Sequence, residues 1–146
     1  MNFKYKPRIN ISVENMVIVT NTHNIIRAFV NIQNVGKRMF SPDSCEIRLR
    51  QIIPETTLVS YEIDRATSQS VQNIEFPLIE KKSFSKSMGF NLEIEPGEIE
   101  TLWFDFPQRK AINKPNNFTY ELYFYMPNHA KNSNMGWAAA DIVEVR

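Results

Sequence analysis

The chain has 146 residues, 42% of them apolar and 23% charged, with a formal net charge of +1. That length fits one domain and lets a core form without covalent staples. Four glycines exclude a collagen repeat, and one cysteine excludes an internal disulfide. Seventeen Lys/Arg against sixteen Asp/Glu leave no basic field for nucleic acid or an anionic membrane.

The apolar residues are of the strand-forming kind. Ile and Val number 25, whereas Ala and Leu number 13. β-Branched and aromatic side chains fit a pleated, half-buried surface, so the composition predicts an all-β fold.

In chain order, Ile9, Ile11 and Val13 alternate with Arg8, Asn10 and Ser12, and Met16–Val19 follow after a polar break at Glu14-Asn15. Beyond the turn Thr20–Asn24, the residues Ile26, Ala28, Val30 and Ile32 share a face, with Phe29 out of phase. Asn34-Val35-Gly36 closes that strand. Cys45, Ile47 and Leu49 then oppose Glu46, Arg48 and Arg50 until Pro54, which lacks the ladder donor.

Between residues 54 and 90 the pattern weakens. Leu58–Ile63 and Ile74–Ile79 read as short strands, the second an edge because of Pro77. Asp64–Gln72 reads as a loop, Lys81–Ser87 as a Lys/Ser segment, and Gly89 as a turn. Glu95-Pro96-Gly97-Glu98 carries the type II turn signature, proline fixing φ and glycine accepting φ > 0. Leu102, Phe104 and Phe106 then alternate with Thr101, Trp103 and Asp105. Phe118, Tyr120, Leu122, Phe124 and Met126 alternate with Thr119, Glu121, Tyr123 and Tyr125, and Trp137–Val145 is a last strand.

Seven or eight strands with polar turns and no amphipathic helix predict an antiparallel β-sandwich. Three segments resemble the CARDB-type immunoglobulin-like sandwiches of bacterial adhesion and envelope proteins. They are Phe29–Gly36, ending in Asn-x-Gly; Leu92–Glu98, with its Pro-Gly-Glu turn; and Phe118–Leu122, placed like the family's tyrosine-bearing penultimate strand. Spread over residues 25–145, the resemblance implies an immunoglobulin-like fold and a binding or spacing role rather than chemistry, and with the length it gives a single domain over residues 1–146. About 100 residues suffice for such a sandwich, so the segment at 54–90 reads as an insertion.

The residues themselves point away from an enzyme. His23 and His129 are far apart in turn-rich segments, and with one cysteine they make no recognisable zinc set. Cys45 falls on an inward face, where a thiol is a small hydrophobe. The four Asp residues are scattered, and Glu93, Glu95, Glu98 and Glu100 flank a solvated turn. No nucleophile-elbow, phosphate-loop or metalloprotease motif occurs. The expectation is therefore no catalytic residue, no metal and no cofactor.

For a partner, the strand at 45–53 is expected beside the strand at 118–126, itself beside the last. Glu46, Arg48, Arg50, Glu121, Tyr123 and Tyr125 would then share an outward face with Ala138-Ala139-Ala140. Arg and Tyr beside small residues compose an interface hot spot, while cross-strand pairing of Arg with Glu121 explains the same residues without a partner. Trp103 points outward from the other sheet, where the segment 55–90 is a candidate cover. The main reading is a non-enzymatic protein-interaction or structural module that meets another protein or a second copy of itself. The alternative is a carbohydrate-binding module that stacks sugars on Trp103, Trp137, Tyr123 and Tyr125. The short clusters Lys81, Lys82, Lys86 and Arg109, Lys110, Lys114 lack interleaved aromatics, so nucleic acid is not expected. The absence of a secretory signal and of any run near the ~20 apolar residues of a membrane span suggests a cytoplasmic protein, or a soluble domain of a longer envelope protein whose anchor lies elsewhere.

Overall fold

A computed structural model describes residues 7–54, 58–64, 69–110, 117–128 and 136–146, and among these residues nine strands build the architecture. The strands are β1 (Ile9–Val19), β2 (His23–Asn34), β3 (Ser44–Ile53), β4 (Leu58–Asp64), β5 (Gln69–Glu75), β6 (Leu78–Ser85), β7 (Ile99–Arg109), β8 (Phe118–Pro127) and β9 (Gly136–Val145). Seven of them form a sandwich: sheet I in the order β1-β2-β7 and sheet II in the order β6-β3-β8-β9. All ladders are antiparallel. The fold is the all-β sandwich that the composition predicts.

The core lies between the two inner faces. β2 contributes Ile26, Ala28, Val30 and Ile32, β3 contributes Ile47 and Leu49, and β8 contributes Leu122, Phe124 and Met126, each with no measurable exposure. Phe106 of β7 and Val143 of β9 are equally buried. Full burial of one such side chain contributes about 1.5–3 kcal/mol, so this alternation fixes which face of each strand looks outward. A one-residue slip would expose the whole set.

The polar break expected at Glu14-Asn15 does not interrupt β1. Asn15 points inward at the sandwich rim, where its Nδ2 donates to Asp141 Oδ2 (2.6 Å) and to the carbonyl of Ile142 (3.2 Å). The amide thus ties the edge of sheet I to the edge of sheet II.

Asn34 is the one fully buried polar residue described. Its Nδ2 donates to the carbonyls of Arg38 (2.7 Å) and Ile94 (2.8 Å), and its Oδ1 accepts the N–H of Gly36 (2.9 Å). Its backbone accepts from Gly97 and donates to Glu98. Asn34-x-Gly36 and the Pro96-Gly97 turn, far apart in sequence, therefore meet at one side chain. Gly97 has φ +85°, and the N–H of Glu98 donates to the carbonyl of Glu95 (3.0 Å), as the expected type II turn requires.

The segment 54–90 differs from its sequence reading. Residues 69–72, read as loop, lie in β5, which pairs with β4 as a separate two-stranded hairpin. The strand expected at Ile74–Ile79 divides at Phe76-Pro77. Lys81–Ser87, read as a polar segment, supplies β6 up to Ser85 and then a 3₁₀ turn at Lys86–Met88, which Gly89 closes with φ +89°. β6 is an edge strand, and its inward positions include Glu80 and Lys82, so it never shows a clean apolar alternation. Inward charges of this kind keep an edge from pairing with other strands.

Candidate functional site

The residues singled out by the sequence lie on two opposite outer faces. Pairing of β3 with β8 and of β8 with β9 places Arg48 opposite Tyr123, Glu46 opposite Tyr125, and Arg50 opposite Glu121. Beyond them stand Ala140, Ala138 and Ile142. Arg48, Arg50, Tyr123 and Tyr125 therefore do share the outer face of sheet II, all of them half-buried. The expected pairing of arginine with Glu121 is not what holds the guanidiniums. Arg48 Nε donates to Glu46 Oε1 two residues away, and Arg50 Nη1 donates to the Phe76 carbonyl (2.9 Å).

Trp103 stands on the outer face of sheet I, away from the other four. It is 62% exposed, and residues 55–57 and 65–68 of the segment expected to cover it lie outside the described residues. The indole is nevertheless held on two sides. Phe29, its cross-strand partner, meets it edge-on with ring centroids 5.1 Å apart, and the Arg27 guanidinium lies 5.4 Å from its centroid. Arg27 is in turn fixed by a bidentate pair with Asp105 (Nε–Oδ1 2.8 Å, Nη2–Oδ2 3.1 Å). That hydrogen bonding holds the Asp105 carboxyl below its usual range, against the opposing effect of burial. On the other side, Thr101 Oγ1 donates to Asn31 Oδ1 (2.7 Å). The result is an aromatic platform with hydrogen-bonding groups in the rows above and below it.

Arg27, Phe29 and Asn31 were not singled out by the sequence. The signal was present in Phe29, which breaks the inward phase of β2 because it faces outward onto Trp103. Trp137, the other candidate platform, packs edge-on against Phe40 (5.0 Å) and is partly buried against the core.

Other chemistry-bearing groups are engaged. Cys45 is buried beneath a shallow cavity of about 250 Å³ that it lines with Phe84, Met88 and Tyr125. Burial pushes its thiol up to about 11, the opposite of what a nucleophile needs. His23 Nδ1 sits 2.8 Å from Thr22 Oγ1, and His129 lies outside the described residues. Lys82 and Lys86 pair with Glu80 and Asp43. Among the described residues no three His, Cys, Asp or Glu side chains gather as a metal set, and no helix is long and apolar enough to cross a membrane.

No family model matches the chain, and no curated protein matches its sequence. Solved structures share its fold. A Bacteroides uniformis β-glucuronidase matches at 8% identity with a TM-score of 0.51, over 92% of this chain and 12% of that one. The chain thus spans a small fraction of that enzyme. An Archaeoglobus fulgidus protein matches at 9% identity and a TM-score of 0.48, over 95% of each chain. The chain also resembles the CARDB domain of a Pyrococcus furiosus protein, at 12% identity and a TM-score of 0.45, over 100% of this chain and 95% of that one.

Proposed function

We propose that the chain is a non-enzymatic protein-interaction or structural module that presents the Trp103 surface of sheet I to another protein. The exposure of Trp103 carries this reading. A large indole left 62% open, yet immobilised by Phe29 and by an ion-paired Arg27, loses little side-chain freedom when a partner covers it. Tryptophan and arginine are the residues that dominate binding energy in such contacts. The buried, proton-holding thiol of Cys45 further supports a binding role over nucleophilic catalysis.

A photo-reactive amino acid at Thr101, one row from the indole, tests this in the native host. The expected result is one recurrent protein adduct that disappears when Trp103→Ala is added, in a chain whose melting temperature is nearly unchanged. Adducts indifferent to Trp103→Ala would overturn the reading.

A second reading is carbohydrate binding on the same surface. It is favoured by one observation, the rows of Arg27/Asp105 and Asn31/Thr101 that border the indole with groups able to bond sugar hydroxyls. A glycan array separates the two: Trp103-dependent retention of an oligosaccharide would establish the sugar reading.

A further inference from the structure

We infer that the outer face of sheet II, opposite Trp103, binds a second copy of this chain through a two-fold axis that runs along the strands between β3 and β8. The inference uses a different surface from the proposed function and stands independently of it.

The strand order places that axis at the middle of sheet II, since β6-β3 lie on one side and β8-β9 on the other. Charge divides along the same line. The β6-β3 half carries Lys81, Arg48 and Arg50 against Glu46, whereas the β8-β9 half carries Glu121 and no cation in the rows concerned. Among the described residues neither Lys81 nor Glu121 forms an ion pair. A face with Arg50 on one half and Glu121 directly opposite on the other meets its own rotated copy with that opposite-charge pair in register, twice. This is the self-complementarity that an isologous contact needs.

The row of Arg50 carries the charge match, and in the row of Arg48 the flexible Lys81 falls beside the partner's small Ala140. In one row Leu78, Arg50, Glu121 and Ile142 follow one another across the sheet, so rotation sets Arg50 on the partner's Glu121 and Leu78 on the partner's Ile142. Leu78 and Ile142 are 46% and 49% exposed, and each finds an apolar counterpart. In the next row, Lys81, Arg48, Tyr123 and Ala140, the guanidinium of Arg48 falls on the partner's Tyr123, a cation–π arrangement. In the third, Ser83, Glu46, Tyr125 and Ala138, the Glu46 carboxylate meets the partner's Tyr125 hydroxyl. Exposed Ala138 and Ala140 keep the β9 side flat, so two sheets can approach.

Four strands at roughly 4.8 Å spacing and about 20 Å of length give a patch of about 400 Å² on each copy. That is the scale of weak, reversible contacts, so the dimer should be concentration-dependent and sensitive to salt.

Sedimentation velocity of the full chain from about 10 µM to about 1 mM spans the affinities such an interface supports. The expected result is a monomer–dimer equilibrium that weakens at least tenfold when salt rises from about 0.05 to about 0.5 M. Arg50→Glu alone and Glu121→Arg alone should each be monomeric, and their equimolar mixture should dimerise, because all contacts between unlike variants are then between opposite charges. Ala140→Arg, at an exposed position, should abolish dimers without altering the fold, whereas Trp103→Ala should leave them unchanged. A chain that stays monomeric throughout the range overturns the inference. So does a dimer that persists in Arg50→Glu, Glu121→Arg and Ala140→Arg, or that is lost in Trp103→Ala.

Discussion

Replacing Asn34 with aspartate changes one atom, yet it should be among the most damaging substitutions in the chain. The side chain is fully buried, and its amide nitrogen serves two carbonyls at 2.7 and 2.8 Å. In Asn34→Asp the bond from Gly36 to Oδ1 survives, but a carboxylate oxygen now faces those two carbonyls. Loss of two hydrogen bonds at about 1 kcal/mol each, together with an unpaired buried charge, gives a destabilisation of about 3–5 kcal/mol near neutral pH. Urea unfolding of the variant and the wild type at several pH values measures it. Burial and the facing carbonyls raise the introduced carboxyl's folded-state pKa above its unfolded value of about 3.9. The folded variant therefore binds its proton more tightly, and its deficit shrinks as pH falls toward about 4 and grows as pH rises. Asn34→Ala, which loses three hydrogen bonds and introduces no charge, should cost about 3 kcal/mol with little of this pH dependence. An Asn34→Asp chain within about 1 kcal/mol of wild type at neutral pH would refute the role assigned to this residue.

Cys45 gives a second pH signature, since burial holds its thiol at about 11. Stability from the protonated thiol is complete below its unfolded pKa, near 8.5, and is lost as pH rises toward the folded value. The loss is about 3 kcal/mol by linkage; Cys45→Val should lack that component, and parallel alkaline curves for the two chains would contradict it. Gly136 allows no side chain, because a Cβ there would lie 2.3 Å from the Met126 carbonyl oxygen and 2.7 Å from the Tyr125 ring. Gly136→Ala should cost about 1–3 kcal/mol by overpacking, and an unchanged melting temperature would show that β9 is free to shift. Asn15→Ala should raise amide exchange along β1 and β9 together, because one side chain joins the two edges; protection unchanged in both strands would contradict that role.

How far the residues reveal the molecule depends on where each one's partner lies. β2, β3 and β8 are legible because they alternate between a buried and a solvated face, and that alternation needs no knowledge of the neighbours. Asn15 looks like a strand break because the group that satisfies it, Asp141, is 126 positions away. Asn34 and Gly97 each read as local turn residues. Their meeting at one buried amide is a tertiary fact that neither motif contains. β6 escapes because an edge strand with inward Glu80 and Lys82 has no apolar period to detect. At the candidate site, the outward direction of Trp103 and the shared face of Arg48, Arg50, Tyr123 and Tyr125 follow from strand phase. The packing of Phe29 and Arg27 on the indole follows only from the register of β2 against β7.

The interaction role rests on whether Trp103 is a binding contact or an incidental exposed ring. The direct measurement is the affinity of the protein captured at Thr101 for the wild type and for Trp103→Ala, alongside the melting temperatures of both chains. Loss of at least about tenfold in affinity, which is about 1.4 kcal/mol, with the melting temperature held, is the predicted result. Equal affinities of the two chains would contradict the assignment of the Trp103 surface as the site of recognition.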